Sequence, residues 1–238
     1  MSASVDGARP PEGNRLLDTL PEDELRRLRP HLETVVLGHK ETLYEPGVPI
    51  KHVHFPIDGV CSLVATMEDG QMVEVGTVGN EGMVGLPVFL GTTTVPLGCL
   101  CQVPGEAVRM ASEVLRMEVR PDDRLHERLH LYTEATFFFT AQSSACNRLH
   151  STEQRCARWL LQTRERVGRD EFELTHGFLS QMLGVRRASV SEVAGALQRA
   201  GLISYSRGRI RVLDRAGLEA KSCECYRVIQ EEFDRLLG

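Results

Sequence analysis

Residues 174–213 constrain the fold of this chain more than any other stretch, because three local patterns follow one another there in a fixed order. Thr175 can cap a short helix with apolar residues at three- and four-residue spacing, and Gly184 can end it. A second amphipathic helix runs to Gly201. Two short strands joined through Ser206-Arg207-Gly208 then predict a β-hairpin. Two helices followed by such a wing predict a winged helix-turn-helix, which docks on DNA.

The outer face of the second helix is the surface that a major groove would meet. The predicted contacts with double-stranded DNA are Thr175, Gln181, Arg186, Arg187, Ala188, Ser189, Ser191, Glu192, Arg199, Arg207 and Arg209. From Thr175 to Arg215 there are seven basic and two acidic residues, although the net charge of the whole chain is -5. Such a local excess is expected of a surface that contacts phosphates. The alternative is a solvated basic surface on an ordinary helical hairpin.

Length and charge suggest two domains with different tasks. The 238 residues are enough for two cores, and residues 1–150 hold 13 basic and 21 acidic side chains against 15 and 12 in residues 151–238. Residues 1–14 lack the apolar segment of a signal peptide and are expected to form a flexible tail. No run is long enough to span a bilayer, so we expect a cytoplasmic protein without membrane contact.

Short alternating runs between Gly- and Pro-bearing turns predict an antiparallel β-roll over residues 15–120. The runs cover residues 34–37, 52–56, 60–67, 72–78, 97–103, 107–110 and 115–119. Helical periodicity then predicts one long helix over residues 121–150, followed by the DNA-binding domain over residues 151–238. The expected fold class is therefore α+β, with an N-terminal roll, a long helix and a C-terminal winged helix-turn-helix.

The long helix carries Phe137, Phe138 and Phe139 in its middle, which is more apolar surface than one small roll covers. Pairing with the same helix of a second copy is the expected solution, so we predict a homodimer. The alternative is a helix packed lengthwise on its own roll.

Seven cysteines are scattered along the chain, and their odd number argues against a disulfide framework. Cys99 and Cys101 share one face of a predicted strand, whereas Cys223 and Cys225 lie in a predicted helix from Asp214 to Leu237 and point in different directions. Neither spacing matches a zinc site with four ligands. We therefore predict buried structural thiols and no metal or cofactor, with redox or metal sensing as the alternative.

One motif points to a different class of protein. The segment from His126 to His130 spells His-Glu-x-x-His, which on a helix places two imidazoles on one face for zinc. A metalloprotease also needs a third ligand, for which Glu153 is a weak candidate, so we predict that the protein is not an enzyme. A metal-sensing regulator that uses this pair, or His52 and His54, is a milder alternative. A third alternative is a scaffold module that does not bind DNA.

The order of these elements, together with four short motifs, resembles the Crp/Fnr superfamily of bacterial transcription regulators. The motifs are Leu174-Thr175, Gln181-Met182-Leu183-Gly184-Val185, Ser189-Val190-Ser191 and Ala200-Gly201-Leu202-Ile203. The resemblance implies a sequence-specific regulator that binds palindromic operators as a homodimer through two recognition helices. It also implies a roll that binds an effector, and RNA polymerase as a partner if the protein is an activator.

The sequence departs from the family pattern in the recognition helix. Family members usually open this helix with Ser-Arg-Glu, whereas this chain has Arg186, Arg187 and Ala188. Arg187 keeps the position that donates to guanine, but Ala188 can only touch a thymine methyl, and Glu192 replaces a basic group. We therefore expect an operator that differs from the half-sites typical of the family.

The effector pocket implied by the resemblance would include Gly82, Gly85, Leu86 and Thr140. Members that bind cyclic nucleotides hold the ribose with a Glu after the glycine and the phosphate with a later Arg. Here Leu86 follows Gly85, and residues 91–97 contain no Arg, so a buried phosphate would lack its cation. Cyclic AMP is therefore not expected as the ligand. The iron–sulfur branch is not expected either, because the first cysteine is Cys61.

Overall fold

The structure, a computed structural model, describes residues 13–238 and has the predicted α+β architecture. The predicted tail lies outside the described residues except for Gly13 and Asn14. Asn14 is fully buried, and its side-chain amide donates to the carbonyl oxygens of Pro56 at 2.9 Å and Gly82 at 3.0 Å. The folded part of the chain therefore already includes the last residues assigned to the tail.

Seven antiparallel strands form the N-terminal roll. They are β1 (Glu33–Leu37), β2 (Thr42–Tyr44), β3 (His52–Pro56), β4 (Val60–Thr66), β5 (Met72–Val78), β6 (Gly98–Val103) and β7 (Gly105–Ala111). One sheet has the order β1-β7-β3 and the other β2-β6-β4-β5. Helix α1 (Glu22–Leu28) precedes the roll, and α2 (Leu86–Phe89) lies between β5 and β6. The core between the two sheets contains Val53, Phe55 and Cys61.

The last predicted strand of the roll is wrong. Residues 115–119 belong mostly to a helix, α3 (Ser112–Glu118), and the Val119 N–H donates to the Leu115 carbonyl. Alternation of Leu115, Met117 and Val119 suggested a strand, but Leu115 is buried while Met117 is 69% exposed. Because Met117 faces away from the core while Leu115 and Val119 pack against it, the period of two is accidental. The short strand β2 was not predicted from the sequence.

Helix α4 (Arg124–Leu149) has 26 residues and is about 39 Å long. It begins three residues later than predicted, because Asp123 accepts a hydrogen bond from the Arg120 N–H and pairs with Arg27. Its inner side contains Leu129 and Tyr132 in the same core as the roll. The inner side of the long helix therefore packs on its own roll, and pairing of its outer side with a second copy stays a prediction.

The C-terminal part contains four helices around a three-stranded sheet, followed by a fifth helix. The elements are α5 (Thr152–Val167), β8 (Glu171–Glu173), α6 (His176–Leu183), α7 (Arg187–Arg199), β9 (Ile203–Ser206), β10 (Arg209–Val212), α8 (Arg215–Lys221) and α9 (Cys225–Leu237). The sheet has the order β8-β10-β9. Within residues 13–238, no helix is both long and apolar enough to cross a membrane.

The single last helix predicted between Asp214 and Leu237 is wrong. Asp214 does cap a helix, since its carboxylate accepts from the Gly217 N–H at 2.9 Å, but that helix ends at Lys221 and α9 begins at Cys225. Helix α9 then returns to α4. Its residues Ile229, Phe233 and Leu236 lie in the core shared by the roll and α4, outside the core of the helix-turn-helix.

Candidate nucleic-acid interface

The helix-turn-helix forms where the sequence predicts it. The Thr175 side-chain oxygen accepts a hydrogen bond from the Phe178 N–H at 3.1 Å and caps α6, and Gly184, at φ 62°, ends that helix. In α7, Val190 and Leu197 are buried in the core beneath. Capping and periodicity are properties of short segments, so they were visible in the sequence alone.

The outer face of α7 is exposed, as predicted. The exposed residues at or next to this helix are Arg186, Arg187, Ala188, Ser191, Glu192, Gln198 and Arg199. Within residues 13–238, the exposed arginines Arg186, Arg187, Arg199 and Arg207 form no ion pair with the protein. Their guanidinium groups are therefore available to an external anion or to the edge of a base.

Three predicted DNA contacts lie beside the roll. Gln181, Arg186 and Ser189 line one side of a cleft of about 970 Å³, and the β4–β5 hairpin lines the other side with residues that include Asp69. Ser189 is half-buried, unlike Arg187 on the open side of α7. The position of the β4–β5 hairpin therefore determines how far a duplex could approach this end of the helix.

The wing is a hairpin with a two-residue turn. Arg207 and Gly208 have φ values of 49° and 78°, and β9 pairs with β10 from Ser206 opposite Arg209 onward. Positive φ at both central positions is the geometry that matches the twist of a hairpin, so the sequence signal at Arg207-Gly208 was sound. The exposed Arg207 side chain lies at the tip.

A third strand, β8, was missed and changes the charge of the wing. Arg209 lies 3.5 Å from Glu171 and 3.6 Å from Glu173, and the Arg211 Nε donates to Glu171 at 2.8 Å. The hydrogen bond and the charge of Arg211 lower the pKa of Glu171. Residues 170–215 contain seven basic and five acidic residues, so the local positive excess is smaller than the window from Thr175 indicated.

His176 at the start of α6 connects the three parts of the unit, and no sequence pattern pointed to it. Its ring stacks on Tyr205 of the wing at 4.2 Å between centroids, and its Nδ1 lies 3.0 Å from the Ser191 Oγ on α7. Burial and the nearby charge of Arg187 lower the pKa of His176. Because the Ser191 hydroxyl also donates to the Arg187 carbonyl at 3.1 Å, much of its hydrogen-bonding capacity is used within the protein.

Of the four residues predicted for the effector pocket, the two glycines pack tightly against core side chains. A Cβ on Gly82 would lie 2.3 Å from the ring of the buried Tyr132, and a Cβ on Gly85 would lie 2.9 Å from Val53. These glycines therefore allow close packing of the core. Leu86 begins α2, and the exposed Thr140 donates to the Thr136 carbonyl on α4, two turns beyond Tyr132.

The histidine pairs considered for metal binding have no further ligand among the described residues. The His126 and His130 rings lie 4.6 Å apart and both contact Phe89. Within residues 13–238 no third Cys, His, Asp or Glu joins this pair or the pair His52 and His54. Glu153, the weak candidate for a third ligand, lies 3.5 Å from Lys221.

A polar seam joins the roll to α5, beneath the helix-turn-helix. The Trp159 indole donates to Glu74 at 2.9 Å, and the Ser62 Oγ lies 2.7 Å from Glu74 and 2.8 Å from the Gln102 Oε1. The Gln102 amide in turn donates to Thr163 at 3.1 Å. The Ser62 hydroxyl has one hydrogen and can donate to only one of these two oxygens, so a protonated Glu74 can supply the second hydrogen bond by donating to Ser62. Burial, the dominant cause, raises the pKa of Glu74 to about 7.

The same seam contains a buried ion pair. The Arg166 Nε on α5 donates to the Glu81 carboxylate of the roll at 2.8 Å, and the two side chains are 9% and 6% exposed. The Gly79 N–H also donates to Glu81 at 3.2 Å, and the guanidinium lies 5.8 Å from the centroid of the Phe139 ring. Burial disfavours the charged form of Arg166, but the Glu81 carboxylate outweighs burial and raises its pKa.

Comparison with known proteins identifies the C-terminal unit and the fold. Residues 154–221 match the family model of the Crp-like helix-turn-helix domain. No curated protein sequence matches the chain. The agreement of this domain with the motifs quoted above confirms the resemblance that the sequence indicated.

Solved structures with a similar fold cover about four fifths of the chain. FixK2 from Bradyrhizobium japonicum has a TM-score of 0.68 and 15% identity, covering 81% of this chain and 98% of its own. The c-di-GMP responsive global regulator CLP from Xanthomonas campestris has a TM-score of 0.64 and 16% identity, covering 81% and 99%. A transcriptional regulator of the CRP family from Thermus thermophilus has a TM-score of 0.64 and 22% identity, covering 79% and 96%.

Proposed function

We propose that this chain is a transcription regulator that reads a palindromic DNA site as a homodimer. The premise is that it carries a Crp-like helix-turn-helix domain within the fold of the Crp/Fnr regulators. One observation carries the proposal. The outer face of α7 presents Arg187 and Arg199 unpaired, within residues 13–238, beside a wing whose tip is Arg207. A recognition helix flanked by cations is the arrangement that major-groove readout requires.

The second copy would dock on the outer side of α4. Phe137 is 77% exposed there, next to the exposed small residues Ala141, Ser144 and Ala145. Small side chains allow two helices to approach closely, and an exposed phenylalanine between them gains from burial. A dimer about this helix would place two copies of α7 on one face of the assembly.

The dimer is testable by a charge on the proposed contact. Phe137→Glu should shift the protein from dimer to monomer in sedimentation equilibrium, because it would bury unpaired charge at the helix pair. Met117→Glu is the matched control, since Met117 is 69% exposed but belongs to α3 and not to the proposed contact on α4. A variant at Phe137 that sediments like the unmodified protein would exclude this interface.

The effector is inferred to be a molecule other than cyclic AMP. Two features support this: Leu86 stands where the family's ribose-binding Glu is expected, and Tyr132 occupies the space beside Gly82. Calorimetric titration with cyclic AMP should give no saturable heat. Saturable binding with one site per chain would contradict the inference.

Selection of bound fragments from random duplex DNA tests the proposed function most directly. We expect enrichment of a palindrome whose half-sites are about one helical turn apart, as two recognition helices require. The selection should be run with and without cell extract, which supplies an effector if one is needed. If no sequence is enriched in either condition, the result would contradict DNA readout and favour a scaffold role for the roll.

A further inference from the structure

Four side chains that can bind a metal meet where the helix-turn-helix domain joins the rest of the molecule. Cys146 and His150 lie one turn apart at the C-terminal end of α4, whereas Cys223 lies in the break between α8 and α9 and Cys225 is the first residue of α9. One ligand atom from each residue lies within 4.8 Å of all the others. The two pairs bracket residues 154–221, the segment that matches the helix-turn-helix family, so the cluster closes the base of that domain.

The separations fit a single tetrahedral ion. The Cys146 and Cys223 sulfurs are 3.5 Å apart, and the Cys225 sulfur is 3.6 Å from the His150 Nδ1. Around a zinc ion with bonds of about 2.3 Å to sulfur and 2.0 Å to nitrogen, neighbouring ligand atoms lie about 3.3–3.8 Å apart. These two separations already have this length, and small rotations of the side chains would bring the other pairs, which lie within 4.8 Å, to the same range.

The second ring nitrogen of His150 and one of the thiols have partners typical of metal ligands. The His150 Nε2 lies 3.3 Å from the Glu224 carboxylate, on the side of the ring opposite the cysteines. Such a carboxylate fixes the tautomer that presents Nδ1 to a metal. The Gln142 amide donates to the Cys225 sulfur at 3.1 Å, which suits a thiolate.

Two buried arginines near the cluster would balance the negative charge that it has when a metal is bound. Three thiolates, one neutral imidazole and Zn²⁺ have a net charge of −1. The Arg155 and Arg158 side chains are 9% and 6% exposed and lie close enough to act electrostatically on Cys146. A positive environment of this kind offsets the cost of burying the anionic site.

Two other uses of the same residues fit less well. A disulfide between Cys146 and Cys223 would use only those two sulfurs and would not account for the contact between His150 and Cys225. An iron–sulfur cluster distributes its ligands over several irons, which demands larger separations than these. Soft thiolates with one imidazole in a tetrahedral arrangement select zinc.

We propose that Cys146, His150, Cys223 and Cys225 bind one Zn²⁺ ion that fastens the base of the helix-turn-helix domain to the end of α4. Binding displaces the thiol protons to solvent, and the ion links residues 77 positions apart in the chain. Because α9 begins at Cys225 and packs on α4, the ion holds the DNA-binding unit at a set angle to the long helix. The inference goes beyond the proposed regulation of transcription and does not require it.

Metal content of the full-length protein, purified in reducing buffer without chelators, is the first test. Plasma mass spectrometry should find one zinc per chain, and replacement by cobalt should give the visible absorption of a tetrahedral thiolate site. Cys223→Ala and His150→Ala should each lose the metal. Cys156→Ala is the matched control, because Cys156 is also buried and free but lies on α5 outside the cluster.

A milder variant keeps the test valid if the ligand variants fail to fold. Glu224→Gln removes the charge of an exposed group next to His150 and should weaken zinc binding by about 10–100-fold, measured by competition with a chromophoric chelator. Equal zinc content in Cys223→Ala and Cys156→Ala would overturn the proposal. So would a zinc-free protein in which all seven cysteines react as thiols, or one purified with a Cys146–Cys223 disulfide.

Discussion

Two regions of the molecule use arginine in opposite ways. One is the recognition surface, which is the outer face of α7 together with the wing, and the other is the polar seam between the roll and α5. On the recognition surface, Arg187 and Arg199 are exposed and unpaired within residues 13–238. In the seam, Arg166 is 9% exposed and bonded to Glu81. An unpaired cation in water costs little to maintain, whereas an unpaired cation in the interior does not persist. Exposure therefore separates the arginines available to a ligand from those that hold the two domains together.

The largest expected effect comes from breaking the buried pair. Arg166→Ala should lower the free energy of unfolding by about 3–5 kcal/mol, because it leaves the Glu81 carboxylate buried without its partner. Chemical denaturation followed by circular dichroism measures this. Arg164→Ala is the control on the same helix, since its partner Asp170 is 57% exposed and the pair should contribute less than about 1 kcal/mol. Similar losses in both variants would mean that the seam is no more important than a surface ion pair.

On the recognition surface, Arg187→Ala should weaken specific DNA binding by about 1–3 kcal/mol and relax the preference at one base position. The fold should be unaffected, because the side chain is exposed and forms no ion pair within residues 13–238. Binding to the selected palindrome and to its single-base variants measures both effects. Uniform weakening across all sequences would instead make Arg187 a phosphate contact.

The seam should also make stability depend on pH through Glu74. Its pKa is raised from an ordinary 4.5 to about 7, so the folded state holds the proton to higher pH than the unfolded state. The stabilisation is complete below about pH 4.5 and is lost as pH rises through about 7. We expect a loss of roughly 1–2 kcal/mol between about pH 5 and 8, because the partly buried group is partly screened. Denaturation at several pH values should reveal a slope that Glu74→Gln removes and Glu68→Gln, on the exposed hairpin tip, keeps.

The smallest effect is expected for Arg209 on the wing, because this arginine is exposed like Arg187 and yet ion-paired like Arg166. Arg209 is 62% exposed yet shared between Glu171 and Glu173, so Arg209→Gln should change the free energy of unfolding by less than about 1 kcal/mol. Its DNA affinity should fall similarly for all sequences, with a smaller salt dependence, as for a phosphate contact. A sequence-dependent loss would place Arg209 at a base.

The helix-turn-helix could be predicted from the sequence because its determinants are short-range. The Thr175 cap, the stripe from Val190 to Leu197 and the Arg207-Gly208 turn each depend on residues within a few positions of one another. The exposure of Arg187 followed from the same periodicity. The roll was predicted for the same reason, except where Leu115 to Val119 matched a strand by accident and forms a helix.

Only the tertiary structure decided which distant groups meet. Nothing local in the sequence pairs Glu171 with Arg211, sets Tyr132 against Gly82, or buries Glu81 with Arg166. The cysteine cluster is the clearest case, since a continuous last helix would have pointed Cys223 and Cys225 apart. The break after α8 and the return of α9 to α4 turn both toward Cys146. Local pattern determines elements through hydrogen bonds a few residues apart, whereas sites built from remote residues depend on how those elements pack.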